Sequence, residues 1–203
     1  MARILRARNE AQMNALYMIR HSLTEGNERR LYYGATDLPL SENGRALCRS
    51  LRGTIELPEG VLYATSGMLR AEETLQLLIG SVAHEILPDL REMEMGAFEM
   101  HSYDELKDNP DYQAWLSDES GEFVIPGGES NRAVRERAVG CVRRLAAAED
   151  GAMLAACHGG IIAAVMHEFF RDSSRSFYDW IPHACHGYAI CFRNGQPSEW
   201  KAI

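Results

Sequence analysis

Short, fully apolar runs alternate with longer amphipathic stretches along this chain, and polar clusters separate them. Ala15-Leu16-Tyr17-Met18-Ile19 predicts a buried strand over about 15–20, Val61-Leu62-Tyr63-Ala64-Thr65 a second over about 60–65, and Ala152-Met153-Leu154-Ala155-Ala156-Cys157 a third. A short strand is expected near 83–87, stopped by Pro88, and a last long one over about 187–193. Asn194-Gly195 then signals a tight turn into an edge strand. Ser41 is placed to cap a helix running to about Gly53, with Ala46, Leu47, Leu51 and Ile55 on one face. Ser66 is placed to cap the next helix, which carries Arg70 in its first turns and packs through Leu69, Leu77 and Leu78. Ser102-Tyr103-Asp104-Glu105 reads as a capping box for a short helix, and Pro110 opens another containing Trp115. A long helix is expected over about 129–149, with Val134, Ala138, Cys141, Val142 and Leu145 at helical period, and a further one over about 161–170. Strand and helix alternate, so the expected class is α/β: a three-layer αβα arrangement with a mostly parallel open sheet and helices on both faces.

A chain of 203 residues suffices for one domain with a full core, and no Pro/Gly/Ser-rich linker or internal repeat divides it. That domain is expected over 15–203, preceded by an N-terminal extension of residues 1–14. Met13 as the natural start and a short helix over the extension are both compatible with the sequence. The net charge of −8 argues against nucleic acid or an anionic membrane as partner. Nineteen arginines stand beside two lysines, Lys107 and Lys201, and a planar guanidinium fork matches phosphate oxygens. Five cysteines without a CxxC pair read as reduced, mostly buried thiols of a cytoplasmic protein, as a monomer or homodimer. No apolar run approaches the roughly 18 residues of a membrane span, and the N-terminus lacks the apolar core of a secretory signal.

Chemistry-bearing residues gather at the carboxyl ends of the predicted strands. The first strand runs into Arg20-His21, the second into Ser66 and Arg70, and the third into His158-Gly159-Gly160. Ligands of open α/β sheets bind at that edge. If the strands are neighbours, two histidines and two arginines converge on one pocket, a set suited to an anionic phosphoryl group and a histidine nucleophile. The diglycine before a helix lets backbone N–H groups approach an anion. GxGxxG, P-loop and HExxH patterns are absent, and Ser22 lies in no nucleophile elbow. His183-Ala184-Cys185-His186 has a spacing that could hold a metal, but no acidic or second Cys partner lies near it, and it reads as the turn before the last long strand. No metal and no cofactor is therefore expected.

RHxxTxxN at Arg20–Asn27, SxxxRAxxT at Ser66–Thr74, LxExxxG at Leu90–Gly96 and HGG at His158–Gly160, in this order, resemble the histidine phosphatase superfamily with its phosphoglycerate-mutase-like fold. The resemblance covers about residues 15–195. It implies a phosphomonoesterase acting on a small phosphorylated metabolite, with His21 as nucleophile and Arg20, Arg70 and His158 clamping the phosphoryl oxygens. It selects Glu92 over Glu94 and Glu99 as general acid, and adds Thr24, Asn27 and Gly159 as phosphate contacts. One departure is plain: the family usually has glycine where Ser22 stands, and a left-handed backbone there would strain a serine. A cofactor-dependent phosphoglycerate mutase and a non-catalytic phospho-ligand module are the alternatives. Mutases of this type carry a longer insertion after the catalytic Glu. Here the segment of about 97–128 is short and acidic, reading either as a lid that repels a multiply anionic substrate or as a solvated outer face. Among family members, the chain looks most like small bacterial phosphatases of the α-ribazole phosphatase type.

Overall fold

Six strands form one sheet in the computed structural model, which describes residues 14–148 and 151–203. The strands are β1 (Asn14–Arg20), β3 (Leu62–Thr65), β4 (Glu85–Ile86), β6 (Ala152–Cys157), β7 (Gly187–Arg193) and β8 (Gln196–Ala202). Their order is β4-β3-β6-β1-β7-β8, parallel from β4 to β1 and antiparallel across β1-β7 and β7-β8. A second sheet is one small ladder of β2 (Leu31–Tyr32) with β5 (His101–Ser102), which no periodicity announces because two residues carry no period. The helices are α1 (Glu25–Glu28), α2 (Glu42–Leu51), α3 (Leu69–Leu78), α4 (Tyr103–Leu106), α5 (Pro110–Ser117), α6 (Asn131–Ala148) and α7 (Gly159–Phe169).

The two-residue period of a strand decides which residues meet which layer. Leu16, Met18, Met153 and Ala155 face a cluster that includes Val134, Ala138 and Val142 of α6 and Ile161, Ile162 and Val165 of α7. Ile19, Leu154 and Ala156 face the opposite way, onto Cys48 of α2 and Ala71, Leu75 and Leu78 of α3. The sheet is thus covered on both faces, and its central strands are apolar on both sides, as a buried parallel sheet requires. The α/β three-layer expectation holds.

Element ends shift for local reasons. The Ser41 side chain caps α2 through Gly44 N–H, and the helix closes at Leu51, with Gly53 beyond it at φ +77°. The long helix begins at Asn131 because Ser130 accepts from Ala133 N–H at its start. The capping box at Ser102 forms as read. Ser66 does not cap α3. Gly67 turns at φ +77°, the helix starts at Leu69, and the Leu69 N–H donates instead to Asp37 Oδ1 at 2.8 Å. The expected extension before β1 lies outside the described residues. No described helix is long and apolar enough to cross a membrane.

Candidate active site

Parallel neighbours β3, β6 and β1 end together, so Ser66, His158 and His21 come to one edge. His21 leaves β1 with its N–H on the Cys157 carbonyl at 2.9 Å, and only 4% of it is exposed. Its Nδ1 lies 2.6 Å from the Ser22 carbonyl. A carbonyl only accepts, so Nδ1 carries the proton and Nε2 keeps its lone pair. Burial pushes the imidazole down to about 3, Arg70 adds to this and Arg20 adds least, against the opposing pull of the Ser22 carbonyl. Ser22 itself is not left-handed: its N–H donates to Thr74 Oγ1 at 2.9 Å and its hydroxyl to the Gly44 carbonyl at 2.8 Å. The serine is therefore accommodated with both polar groups paired.

Arg20 is held by the segment whose spacing had suggested a metal. Its Nη1 donates to the Pro182 carbonyl at 2.9 Å, and Cys185 N–H donates to the Arg20 carbonyl at 3.0 Å. Among the described residues no cluster suited to a metal is found. Cys48 and Cys185 approach with their sulfurs 3.6 Å apart, and all five cysteines are free.

Glu92 sits against the N-terminus of α7. Its Oε2 accepts from Gly160 N–H and its Oε1 from Met93 N–H, both at 3.1 Å. The diglycine has a definite steric role here. A Cβ on Gly160 would come within 2.6 Å of Glu92 Oε1, and one on Gly159 within 3.2 Å of Arg20 Nε. The backbone of Glu92 is fixed from α6, where Arg137 donates to the carbonyls of Asp89, Arg91 and Glu92 and pairs with both oxygens of Glu129. The pairing of Arg137 with Glu129 was not anticipated: Glu129, expected to open the long helix, lies before its start at Asn131. Glu94 is exposed, and its N–H donates to Glu129. Glu99 accepts from the N–H groups of Gly34, Ala35, Thr36 and Met95 and from the Thr36 hydroxyl, so it binds two loops together. Those bonds hold its carboxyl below the ordinary range although burial opposes them.

Arg70 and His158, the other two residues expected to clamp the phosphoryl oxygens, lie buried beside His21. Both are 0% exposed. Arg70 donates to the Gly34 carbonyl at 2.9 Å, to the Thr36 carbonyl at 3.0 Å and to His158 Nδ1 at 3.3 Å, with its guanidinium 5.0 Å from the centre of the Tyr33 ring. Because Nδ1 of His158 accepts from Arg70, its Nε2 carries the proton and meets Ser66 Oγ at 2.8 Å. The two histidine rings stack edge-on at 5.1 Å. Burial drives His158 well below the ordinary histidine range, and Arg70 and His21 lower it further. Thr24 is buried too, capping α1 and sharing a 2.6 Å bond with the Tyr33 hydroxyl. Asn27 Oδ1 accepts from the Thr24 N–H and from the Tyr33 hydroxyl. Tyr33 is a participant the sequence did not single out; an aromatic pair in a loop carries no periodic signal.

These groups border a cavity of about 550 Å³, in which Arg20, His21, Asn27, Glu92 and Gly159 reach the wall. Of the acids in 97–128, Asp118 and Glu119 also reach it, whereas Asp104, Glu105, Asp108 and Asp111 are solvent-facing or lie outside the wall. The segment is thus part cavity wall and part solvated face.

The family model for the histidine phosphatase superfamily (branch 1) matches residues 16–201. An adenosylcobalamin/alpha-ribazole phosphatase of Salmonella typhimurium is 30% identical over 168 residues, covering 80% of this chain and 83% of that protein. The crystal structure of a phosphoglycerate mutase from Thermus thermophilus superposes with a TM-score of 0.67 at 29% identity, covering 93% of this chain and 99% of the other. That of the alpha-ribazole phosphatase from Shigella flexneri gives 0.76 at 23% identity, covering 91% and 93%. At that identity the Shigella likeness speaks for the fold.

Proposed function

We propose, for a chain that belongs to branch 1 of the histidine phosphatase superfamily, a metal-independent phosphomonoesterase working through a phosphohistidine on His21. The carrying observation is the 2.6 Å bond from Nδ1 to the Ser22 carbonyl, which leaves a neutral Nε2 lone pair on a residue of the cavity wall. In the first step Nε2 forms a bond to phosphorus as the ester P–O bond breaks, and Glu92 gives its proton to the leaving oxygen. In the second, water attacks phosphorus, the Glu92 carboxylate takes the water proton, and the N–P bond breaks to release phosphate. Arg20, the amide nitrogen of Asn27 and the backbone at Gly159 receive the phosphoryl oxygens, where fixed donors act most strongly. Arg70 and His158 stand behind His21: Arg70 supplies positive charge, and both hold the ring layer in place. Thr24 acts through Asn27.

The substrate is a small phosphorylated metabolite, and the likeness to the Salmonella protein makes an α-ribazole phosphatase-like ester the first to try. A panel of phosphate monoesters tests the reading. Phosphate release should persist in chelator, stop with vanadate, which resembles the trigonal-bipyramidal transition state, and vanish in His21→Ala. Release that requires added magnesium would contradict it. So would phosphoryl transfer between the hydroxyls of a glycerate, dependent on a bisphosphate primer, with little net hydrolysis; that outcome would mark a mutase.

A further inference from the structure

We propose that two aromatic pairs at the mouth of the His21 cavity, Tyr32 with Trp115 and Phe177 with Tyr178, select substrates whose alcohol portion is a planar, uncharged aromatic group. The inference rests on the phosphomonoesterase reading and adds the specificity-determining residues to it. All four rings border the same cavity as His21 and Glu92. Tyr32 and Trp115 meet edge-on at 6.2 Å, and the Tyr32 hydroxyl is tied to that of the fully buried Tyr112 at 2.6 Å. Phe177 and Tyr178 meet edge-on at 5.7 Å in the short 3-10 turn Phe177–Trp180. That turn is anchored twice: a capping box joins Ser176 to Asp179, and Trp180 is 1% exposed against Tyr188 and Trp200.

Anchoring of both pairs contrasts with what their outer members lack. Tyr178 is 68% exposed and Phe177 37%, so the second pair, which borders the cavity, keeps large apolar surface that little protein covers. Exposed aromatic surface on a fixed turn, rimming a functional cavity, is the arrangement of a binding site. The same wall includes Met93, Val134, Ala164 and Ile181, which give an apolar body surface to pack on, beside the polar Asn131, Arg135 and His167. Asp118 and Glu119 border the cavity as well. Asp118 is fixed by Ser120 and by Phe123 N–H, which hold its carboxyl below the ordinary range and ionised. A second anionic group on the substrate would meet these two carboxylates against the one guanidinium of Arg135, whereas a neutral ring is indifferent to all three.

The test separates the body from the leaving group by using alkyl leaving groups throughout: benzyl phosphate against propyl phosphate for hydrolysis, and benzylphosphonate against propylphosphonate for binding by calorimetry. The expected results are a kcat/KM for benzyl phosphate at least about fivefold above that for propyl phosphate, and tighter binding of the benzyl phosphonate. Tyr178→Ala and Phe177→Ala should each lower benzyl kcat/KM by about two- to tenfold while leaving propyl phosphate unchanged. Both positions lie outside the hydrophobic core, so the variants should keep the melting temperature of the parent. Equal handling of the two bodies, or equal losses on both esters in the variants, overturns the proposal. If neither ester is hydrolysed but the phosphonates still bind with the benzyl preference and its loss in Tyr178→Ala, the aromatic specificity stands and the catalytic reading falls.

Discussion

His21 owes its neutrality more to burial than to the arginines around it, and this has a measurable consequence for stability. In the unfolded chain a histidine titrates near 6.5, whereas in the fold it does so at about 3. Below about pH 6.5 the unfolded chain therefore binds a proton that the folded chain refuses, and stability falls as pH falls toward 3. The cost from this one residue between pH 7 and 5 is about 2 kcal/mol. His21→Asn should lose about that much less stability than the parent over this range, measured by urea unfolding at both pH values; parallel losses would mean His21 is already hydrated in the fold. Glu92 tests a different property. If it protonates the leaving oxygen, Glu92→Gln should slow alkyl phosphates by about 100-fold or more and p-nitrophenyl phosphate much less, because nitrophenolate departs without a proton. Glu94→Gln should show no such contrast. Arg20 and His21 were legible as residues at a strand end, and the family resemblance pointed to Glu92 and Asn27; all four border the cavity. The sequence could not show depth. Arg70 and His158 lie on the same sheet edge as His21, yet their partners Gly34, Thr36 and Ser66 come from loops whose paths leave no periodic trace.

At the scale of elements, strands β1, β3 and β6 were legible because buried parallel strands are continuous apolar runs. The two-residue strands β2 and β5 were not, and neither was the true start of α3. There a serine with good capping chemistry is diverted to His158, and a distant aspartate takes the helix N–H. The junction of β6 and α7 combines both kinds of information. HGG was legible as a motif, but the structure adds that Gly160 makes room for the Glu92 carboxylate and donates its N–H to it. Gly160→Ala should leave the melting temperature almost unchanged, because the atom in the way is the end of a flexible side chain. It should nevertheless lower alkyl phosphate turnover by about tenfold, with a smaller loss on p-nitrophenyl phosphate. Kinetics on the two esters decide it: an equal loss on both would mean that α7 itself had shifted.

On the scale of the whole molecule, a three-layer fold delivers loops from both sides of the sheet to one edge. The α2–α3 side contributes Gly44 and Thr74, which fix Ser22, and the α6–α7 side contributes Arg137 and Gly160, which fix Glu92. The proposed nucleophile and acid are thus positioned by opposite layers of helices, and Trp115, Leu116 and residues 118–121 of the 97–128 segment border the same cavity. Every step proposed for this architecture passes through a covalent N–P bond at His21. The most direct test is rapid quench of the protein turning over a phosphate monoester, followed by mass spectrometry of acid-labile phosphate under alkaline conditions. Phosphate is expected on His21, formed and lost at rates compatible with turnover. Phosphate on His158 instead, or turnover with no phosphohistidine at any time point, would contradict it.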